Sequence, residues 1–197
     1  MKRMLTLCAS VPLALTALTG SAAAEEVSCP PNRGAVTLDN VRVIGSCTMT
    51  RTNVQGNIVV EDNAALYARG VRVIGSVQSE GATRIRLVPD ATTGQETGIN
   101  GDVQIKNSAG TTLVSQIQDA QIGGTALIDD NQVPHNLYGN NVGGDVQVFQ
   151  NDGVVRIRDN TIDGNLQCKA NNPNPIDGGG NVVHGNAEDQ CAGFDSN

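Results

Sequence analysis

The hexapeptide "VRVIGS" occurs at residues 41–46 and again at 71–76. Both copies belong to a longer pattern, because eight segments can be aligned on the glycine of "VIGS". The reference glycines are Gly45, Gly56, Gly75, Gly101, Gly124, Gly144, Gly164 and Gly185. From Gly101 onward they recur at a near-constant interval of about 20 residues, and such self-similarity indicates a repeat protein.

The positions around each glycine predict strands. Two residues before the glycine, all eight segments carry a β-branched aliphatic residue: Val43, Val54, Val73, Ile99, Ile122, Val142, Ile162 and Val183. Apolar residues recur two and four positions after the glycine, whereas the position three after it is mainly polar. This period of two predicts a strand with one buried face. The glycine itself fits either a crowded interior position or a bend in the backbone.

A second strand per repeat is predicted at "ALYA" (65–68), "TRIRL" (83–87), "TTLV" (111–114) and "VVRIR" (154–158), and no helical stripe of useful length accompanies them. The consistent fold is all-β: a single-domain, right-handed parallel β-helix, or β-solenoid, of about seven to eight coils of roughly 20 residues. Stacked at the usual ~4.8 Å strand spacing, these coils would form a rod of roughly 35 Å.

Two intervals depart from the period. Gly45 and Gly56 lie closer together than the repeat allows, which indicates that the first two segments lie on different faces of one coil or form an N-terminal cap. The interval between Gly75 and Gly101 is longer than the repeat and predicts an inserted loop at 88–98, "VPDATTGQETG". A loop on a rigid scaffold is either a functional site or an ordinary surface excursion.

The N-terminal segment has the features of a secretory signal peptide, with Lys2 and Arg3 before an apolar stretch and "SAAA" before Glu25. We therefore predict a signal peptide at 1–24, an N-terminal cap segment at 25–40 and the β-helix domain at 41–197. Beyond residue 24 the chain has 11 basic and 20 acidic side chains, a net charge near −9, which disfavours duplex nucleic acid as a partner. This part contains no apolar run long enough to span a bilayer.

Four cysteines, Cys29, Cys47, Cys168 and Cys191, follow the signal segment. An even number in an exported chain favours disulfides, and four cysteines allow three connectivities. In a solenoid, bonds between the N-terminal and C-terminal pairs would have to span several coils, whereas bridged Cα atoms lie about 4.4 to 6.8 Å apart. We therefore predict Cys29–Cys47 and Cys168–Cys191, one bridge at each end of the rod.

The C-terminal run "GNLQCKANNPNPIDGGGNVVHGNAEDQC" (164–191) resembles the ends of secreted bacterial right-handed parallel β-helix proteins, which are similar to the pectate-lyase-like superfamily in fold only. The resemblance is specific over this run and elsewhere rests on the repeat pattern alone. It implies the fold and export from a bacterial cell, and it carries no activity that could be transferred to this chain.

Several residues are candidates for acid–base catalysis or for calcium binding. For a polysaccharide hydrolase or lyase, the candidate acid and base residues are Asp129, Asp130 and His184. Calcium is the cofactor to consider, because "DNTIDG" supplies Asp159 and Asp163, although Ala170 stands where an EF-hand loop has glutamate. The alternative is that these residues belong to ordinary turns and to the structural repeat and form no functional site. His135 and His184 are predicted to lie at the surface.

Two outward rows are candidates for binding. One is the glutamine row Gln78, Gln104, Gln147 and Gln167. The other is the arginine row Arg84, Arg86, Arg156 and Arg158, which could hold an anionic glycan or could simply discourage aggregation at strand edges. We expect a noncatalytic structural or recognition module at the cell envelope or outside the cell, with a cell-surface polysaccharide or an envelope protein as partner. The alternative is a small polysaccharide-acting or glycan-binding β-helix protein.

Overall fold

The computed structural model describes residues 25–110 and 113–195. The predicted signal peptide and residues 111–112 of the predicted strand "TTLV" lie outside the described residues. Within these ranges the structure is all-β, and none of the described residues forms a helix long and apolar enough to cross a membrane. In this described part of the chain, twenty-four strands, numbered in chain order, form three parallel sheets.

Sheet A has nine strands: β1 (Glu26–Cys29), β3 (Asn40–Val43), β6 (Ile58–Val60), β9 (Val77–Glu80), β12 (Val103–Lys106), β15 (Ala126–Asp129), β18 (Val146–Phe149), β21 (Leu166–Lys169) and β24 (Ala187–Asp189). Sheet B has seven: β4 (Ser46–Thr50), β7 (Ala65–Arg69), β10 (Arg84–Val88), β13 (Ser115–Gln118), β16 (His135–Tyr138), β19 (Val155–Arg158) and β22 (Ile176–Asp177). Sheet C has eight: β2 (Thr37–Leu38), β5 (Asn53–Val54), β8 (Arg72–Val73), β11 (Thr97–Ile99), β14 (Ala120–Ile122), β17 (Asn141–Val142), β20 (Thr161–Ile162) and β23 (Val182–Val183).

In each coil the chain passes from sheet C to sheet A and then to sheet B, and about eight coils stack in register. The predicted parallel β-solenoid is therefore confirmed. All eight β-branched residues that precede the reference glycines are buried, including Val54, Ile122 and Val142. They stack in a continuous apolar core, in which each coil is covered by the coils on either side.

The repeat unit differs from the prediction in one respect: it contains two strands where one was expected. In "VGGDVQV", Val142 ends β17 in sheet C and Val146 begins β18 in sheet A. The glycine lies at the corner between the two sheets, so the period of two on either side of it comes from separate short strands. Of the predicted second strand "TTLV", the described residues Leu113 and Val114 precede the strand, since β13 begins at Ser115.

The two copies of "VRVIGS" occupy different corners. Residues 41–46 run from β3 in sheet A into β4 in sheet B, whereas residues 71–76 include β8 of sheet C and precede β9 of sheet A. The short interval after Gly45 thus places the first two segments on different faces, one of the two predicted explanations. An identical sequence can serve both corners because each needs a buried β-branched residue followed by a tight bend.

The corner glycines from Gly56 to Gly185 form a ladder of backbone hydrogen bonds. From the second glycine onward, each N–H donates to the carbonyl of the glycine one coil earlier, as from Gly144 to Gly124 at 3.0 Å and from Gly164 to Gly144 at 3.1 Å. A Cβ atom on Gly144 would lie 2.9 Å from the carbonyl carbon and oxygen of Gly124. Close approach of neighbouring coils, and not an unusual backbone conformation, therefore requires glycine here.

Buried asparagines form ladders at the other two corners. Asn131, Asn151 and Asn171 stack between sheets A and B, and Asn140, Asn160 and Asn181 stack between sheets B and C. The Asn151 amide nitrogen donates to Asn171 Oδ1 at 2.8 Å and to the carbonyl of Ile128 at 3.0 Å. These amides satisfy backbone groups where the chain leaves one sheet for the next.

The predicted disulfides both form. Cys29 on β1 bonds to Cys47 on β4, with Cα atoms 5.6 Å apart, and Cys168 on β21 bonds to Cys191 with Cα atoms 5.3 Å apart. All four cysteines are buried. One bridge lies at each end of the stack, where the terminal coil has a neighbouring coil on one side only. Such bonds are typical of proteins in oxidising compartments.

Two glycine-to-alanine variants should have opposite effects. Gly98 lies in β11 with no heavy atom within 4 Å of an added Cβ, so Gly98→Ala should raise the free energy of unfolding by about 0.5–1 kcal/mol. Gly144→Ala should lower it by about 1–3 kcal/mol, because the methyl group would collide with the backbone of the preceding coil. Urea unfolding of both variants measures the difference. Equal stability of Gly144→Ala and the wild type would disprove the close-approach explanation.

Candidate binding surface on sheet B

The outer face of sheet B concentrates arginine and tyrosine. Alternate residues of its strands point away from the core, and seven of these outward positions carry Tyr67, Arg69, Arg84, Arg86, Tyr138, Arg156 and Arg158. Five of the 11 lysines and arginines beyond residue 24 therefore lie on this one face. We call these seven residues the arginine–tyrosine face.

The strand register brings these residues together from distant parts of the sequence. Arg86 is paired with Tyr67 on one side and Gln116 on the other, and Tyr138 is paired with Arg158. The four predicted arginines lie on this face, and the structure adds Arg69 and both tyrosines to them. Tyr67 and Arg69 follow the same alternation as Arg84 and Arg86, which is the signal that could have identified them.

Each tyrosine lies beneath an arginine. The guanidinium carbon of Arg84 is 5.6 Å from the centre of the Tyr67 ring, and that of Arg158 is 4.5 Å from the Tyr138 ring. At these distances the ring quadrupole attracts the cation. Arg84 Nε also donates to the carbonyl of Val114 at 3.0 Å, which orients the side chain further.

Apart from the exposed Asp177 on the terminal strand β22, the described strands of sheet B contain no aspartate or glutamate. The pKa of Arg86 is held below its ordinary value, first because burial desolvates the guanidinium and then because Arg84 and Arg69 add positive charge nearby.

The positive charge of Arg69, Arg84 and Arg86 is not neutralised by another residue of the face. Arg86 Nη2 donates to the neutral amide oxygen of Gln116 at 2.9 Å, an uncharged partner. At the other end of the face, Arg158 Nε lies 3.5 Å from a carboxylate oxygen of the corner residue Asp159. The uncompensated charge is therefore greatest around β7 and β10.

The predicted loop at 88–98 is observed as the segment 89–96 between β10 and β11, and it borders one side of this face. It leaves the corner between β10 and β11, and together with sheet B it encloses a cavity of about 580 Å³. From the sheet the cavity is lined by Thr50, Arg69, Arg86 and Gln118, and from the loop by residues that include Asp90, whose carboxylate is paired with Arg51. Two of the five arginines therefore line a concave site.

Hydrogen bonds hold this loop in place. The buried Asp90 accepts a hydrogen bond from the Thr92 N–H at 2.8 Å, and its other carboxylate oxygen lies 3.2 Å from Arg51 Nε. These contacts, led by the Thr92 hydrogen bond, keep the pKa of Asp90 below its ordinary value. Gln95 donates to the carbonyl of Gly70 at 2.6 Å, and Thr97 Oγ1 donates to that of Val88 at 2.7 Å. The wall of the cavity is therefore formed before any ligand arrives.

The predicted glutamine row lies on the outer face of sheet A. Gln78 and Gln104 are paired directly, but Leu127 separates Gln104 from the other two members. Gln147 donates to Gln167 at 3.1 Å, and Gln167 donates to Glu188 at 3.0 Å. The amides of Gln147 and Gln167 are therefore engaged with neighbours on the same face.

The residues considered for catalysis lie on different parts of the solenoid. Asp129 is on the outer face of β15, and Asp130 follows it at the corner towards sheet B. His184 is at the corner between sheets C and A three coils later, exposed, with Nδ1 3.0 Å from Asp163 Oδ1. The structure therefore brings His184 together with Asp163 and not with Asp129 or Asp130.

The two residues considered for calcium lie at opposite ends of β20. Asp159 is at the corner that precedes this strand, and Asp163 is at the corner that follows it. Among residues 25–110 and 113–195, no group of three or more His, Cys, Asp or Glu side chains is arranged to hold a metal ion.

The surface position predicted for His135 is wrong, because His135 lies in the core with 1% of its surface exposed. It begins β16, where register places it between Ser115 and Val155. Its Nδ1–H donates to the carbonyl of Val133 at 2.8 Å. Burial lowers the pKa of His135 to about 4 despite this hydrogen bond, so the ring is neutral near pH 7.

No family model matches the sequence, and no curated protein or solved structure is significantly similar to it.

Replacing His135 with valine, the residue that stacks on it at position 155, should remove one source of acid sensitivity. An unfolded histidine binds a proton below pH about 6.5, whereas the folded one binds it only near pH 4. Between these values the unfolded state holds more protons, so wild-type stability should fall by up to about 3 kcal/mol as pH drops from 6.5 to 4. Denaturant unfolding at several pH values should show a smaller loss for His135→Val. Parallel curves for the two proteins would contradict this assignment.

Proposed function

We propose that the chain is an exported, noncatalytic recognition module that binds acidic polysaccharide on the arginine–tyrosine face, at the cell envelope or outside the cell. The observation that carries the proposal is this single face, with five arginines, two tyrosines and no carboxylate on the sheet B strands from β4 to β19, on a chain that is otherwise strongly acidic.

The side chains fit such a ligand. Arginine binds carboxylate and sulfate groups through two parallel hydrogen bonds, and it loses less hydration than lysine when it does so. Tyrosine offers an apolar ring face and a hydroxyl, which suits the mixed surface of a sugar. The acidic remainder of the chain disfavours nonspecific adsorption of polyanions elsewhere, which confines an acidic ligand to sheet B.

The contents of this face favour binding over cleavage. Glycoside hydrolysis ordinarily uses two carboxyl groups that flank the scissile bond. The outward residues of sheet B supply arginine, tyrosine, amide and hydroxyl groups instead, and Asp129, Asp130 and His184 lie elsewhere. A ligand held on sheet B would therefore contact groups that bind anions and not a carboxylate pair.

Export is inferred from two features. Residues 1–24 have the sequence of a signal peptide, and two buried disulfides are typical of proteins of oxidising compartments. The C-terminal resemblance to secreted bacterial β-helix proteins agrees with this location.

Affinity electrophoresis in gels containing alginate, chondroitin sulfate or neutral dextran tests the proposal. The wild type should be retarded by the two acidic polymers, less so at high salt, and not by dextran. A hydrogen bond to a charged group contributes about 1.5–3 kcal/mol, so Arg84→Gln with Arg86→Gln should weaken binding by tenfold or more.

Arg72→Gln is the matched control, because Arg72 is an exposed outward arginine on a strand of sheet C. It should bind like the wild type. Equal retardation by dextran, or unchanged binding by the double variant, would refute the proposal. Release of reducing ends or unsaturated products from either acidic polymer would refute the noncatalytic assignment.

A further inference from the structure

The arginine–tyrosine face consists of two separate clusters. Tyr67, Arg69, Arg84 and Arg86 lie on the adjacent strands β7 and β10, and we call them the first cluster. Tyr138, Arg156 and Arg158 lie on β16 and β19, and we call them the second cluster. Each cluster combines at least two arginines with one tyrosine beneath an arginine.

The space between the clusters is polar and uncharged at the outward positions. Gln116 and Gln118 on β13 and Asn136 on β16 lie there. Register places Arg86, Gln116, Asn136 and Arg156 in one column across four neighbouring strands. In a solenoid such a column runs parallel to the long axis of the stack. Gln116 accepts a hydrogen bond from Arg86 and donates one to Gln118, which in turn donates to Asp119 at 3.0 Å. Sugar hydroxyls along this column would bind to the N–H groups and lone pairs that these amides still have free.

The spacing of the clusters is fixed by the fold. From β10 to β19 there are three strand spacings, a separation of roughly 14 Å. Because every strand between them is hydrogen-bonded into sheet B, the clusters cannot move independently. The cavity beside the loop lies at the first-cluster end of this column of residues, since Arg69 and Arg86 line it.

We infer that one linear polyanion lies along the solenoid axis and contacts both clusters at once. This rests on the proposed function and specifies the ligand: a flexible or extended acidic glycan with charged groups that can reach both ends of a span of roughly 14 Å. A short acidic oligosaccharide reaches one cluster only.

Simultaneous binding at both clusters predicts that affinity increases in a step as the glycan becomes longer. Once a ligand is bound at one cluster, its binding at the other is intramolecular and is governed by an effective concentration. Linked binding of this kind can exceed the affinity of either contact by about 10²–10⁴-fold. Affinity should therefore rise sharply when the chain becomes long enough to span the clusters and change little beyond that length.

Size-fractionated alginate oligosaccharides, from the dimer to the decamer, test this by titration calorimetry. For the wild type, Kd should fall by about 100-fold or more over a narrow range of lengths. Arg156→Gln with Arg158→Gln should bind the shortest oligosaccharides like the wild type but show no step. Arg84→Gln with Arg86→Gln should also show no step, and Arg72→Gln should keep it. Circular dichroism should show that all variants retain the β structure.

The outcomes separate the two inferences. If no acidic oligosaccharide or polymer binds, the proposed function fails. If they bind but affinity changes smoothly with length, or if the step persists in either double variant, only the two-cluster inference fails. The same series made from chondroitin sulfate distinguishes sulfate-bearing from carboxylate-only ligands. Single-stranded DNA of equal length that binds as tightly as the glycan would overturn the assignment to a glycan.

Discussion

Stacking of equivalent residues in parallel register is the constraint on which this structure depends. Each coil has to present the same kind of group at the same place as its neighbours, because apolar residues, corner glycines and amides all contact their own equivalents one coil away. The interior valines and isoleucines supply the burial, as in any β-protein. The corners are more demanding, since the backbone groups of the bends lie in or near the core and need hydrogen-bond partners. The glycine ladder and the two asparagine ladders supply those partners.

The same register determines the surface. Outward side chains that are far apart in the sequence become direct neighbours across a sheet, as Tyr67, Arg86 and Gln116 do. A modest bias at one position of the repeat therefore becomes a continuous column of like chemistry. On sheet A the column mixes glutamine with leucine and glutamate, and part of it engages its own amides. On sheet B it gathers five arginines, and at the far end of the face Arg158 is paired with the corner carboxylate of Asp159.

The sequence predicts those features that depend on period alone. Buried β-branched residues, recurring glycines and the end-to-end separation of the cysteine pairs are sufficient for the solenoid and for both disulfides. The sequence does not separate a corner from a strand, because two short strands joined at Gly144 carry the same alternation as one long strand. Asn151 and Asn160 resemble ordinary turn residues, and only the stack shows that they are buried. A polar residue such as His135 is expected at the surface, although its position in β16 is an inward one. The arginine row follows from alternation, but its pairing with tyrosines requires knowledge of which strands are adjacent.

Because the coils are regular, the length of this solenoid can change only by whole coils. The coils from β14 to β20 are nearly interchangeable, with glycine and asparagine at equivalent corners, and the disulfides seal only the two termini. Duplication or loss of one such winding would leave every remaining contact type intact. It would also move the surface residues on either side of that coil, relative to one another, by one whole strand spacing. Evolution can therefore change the distance between two surface sites of such a solenoid only in steps of one whole coil.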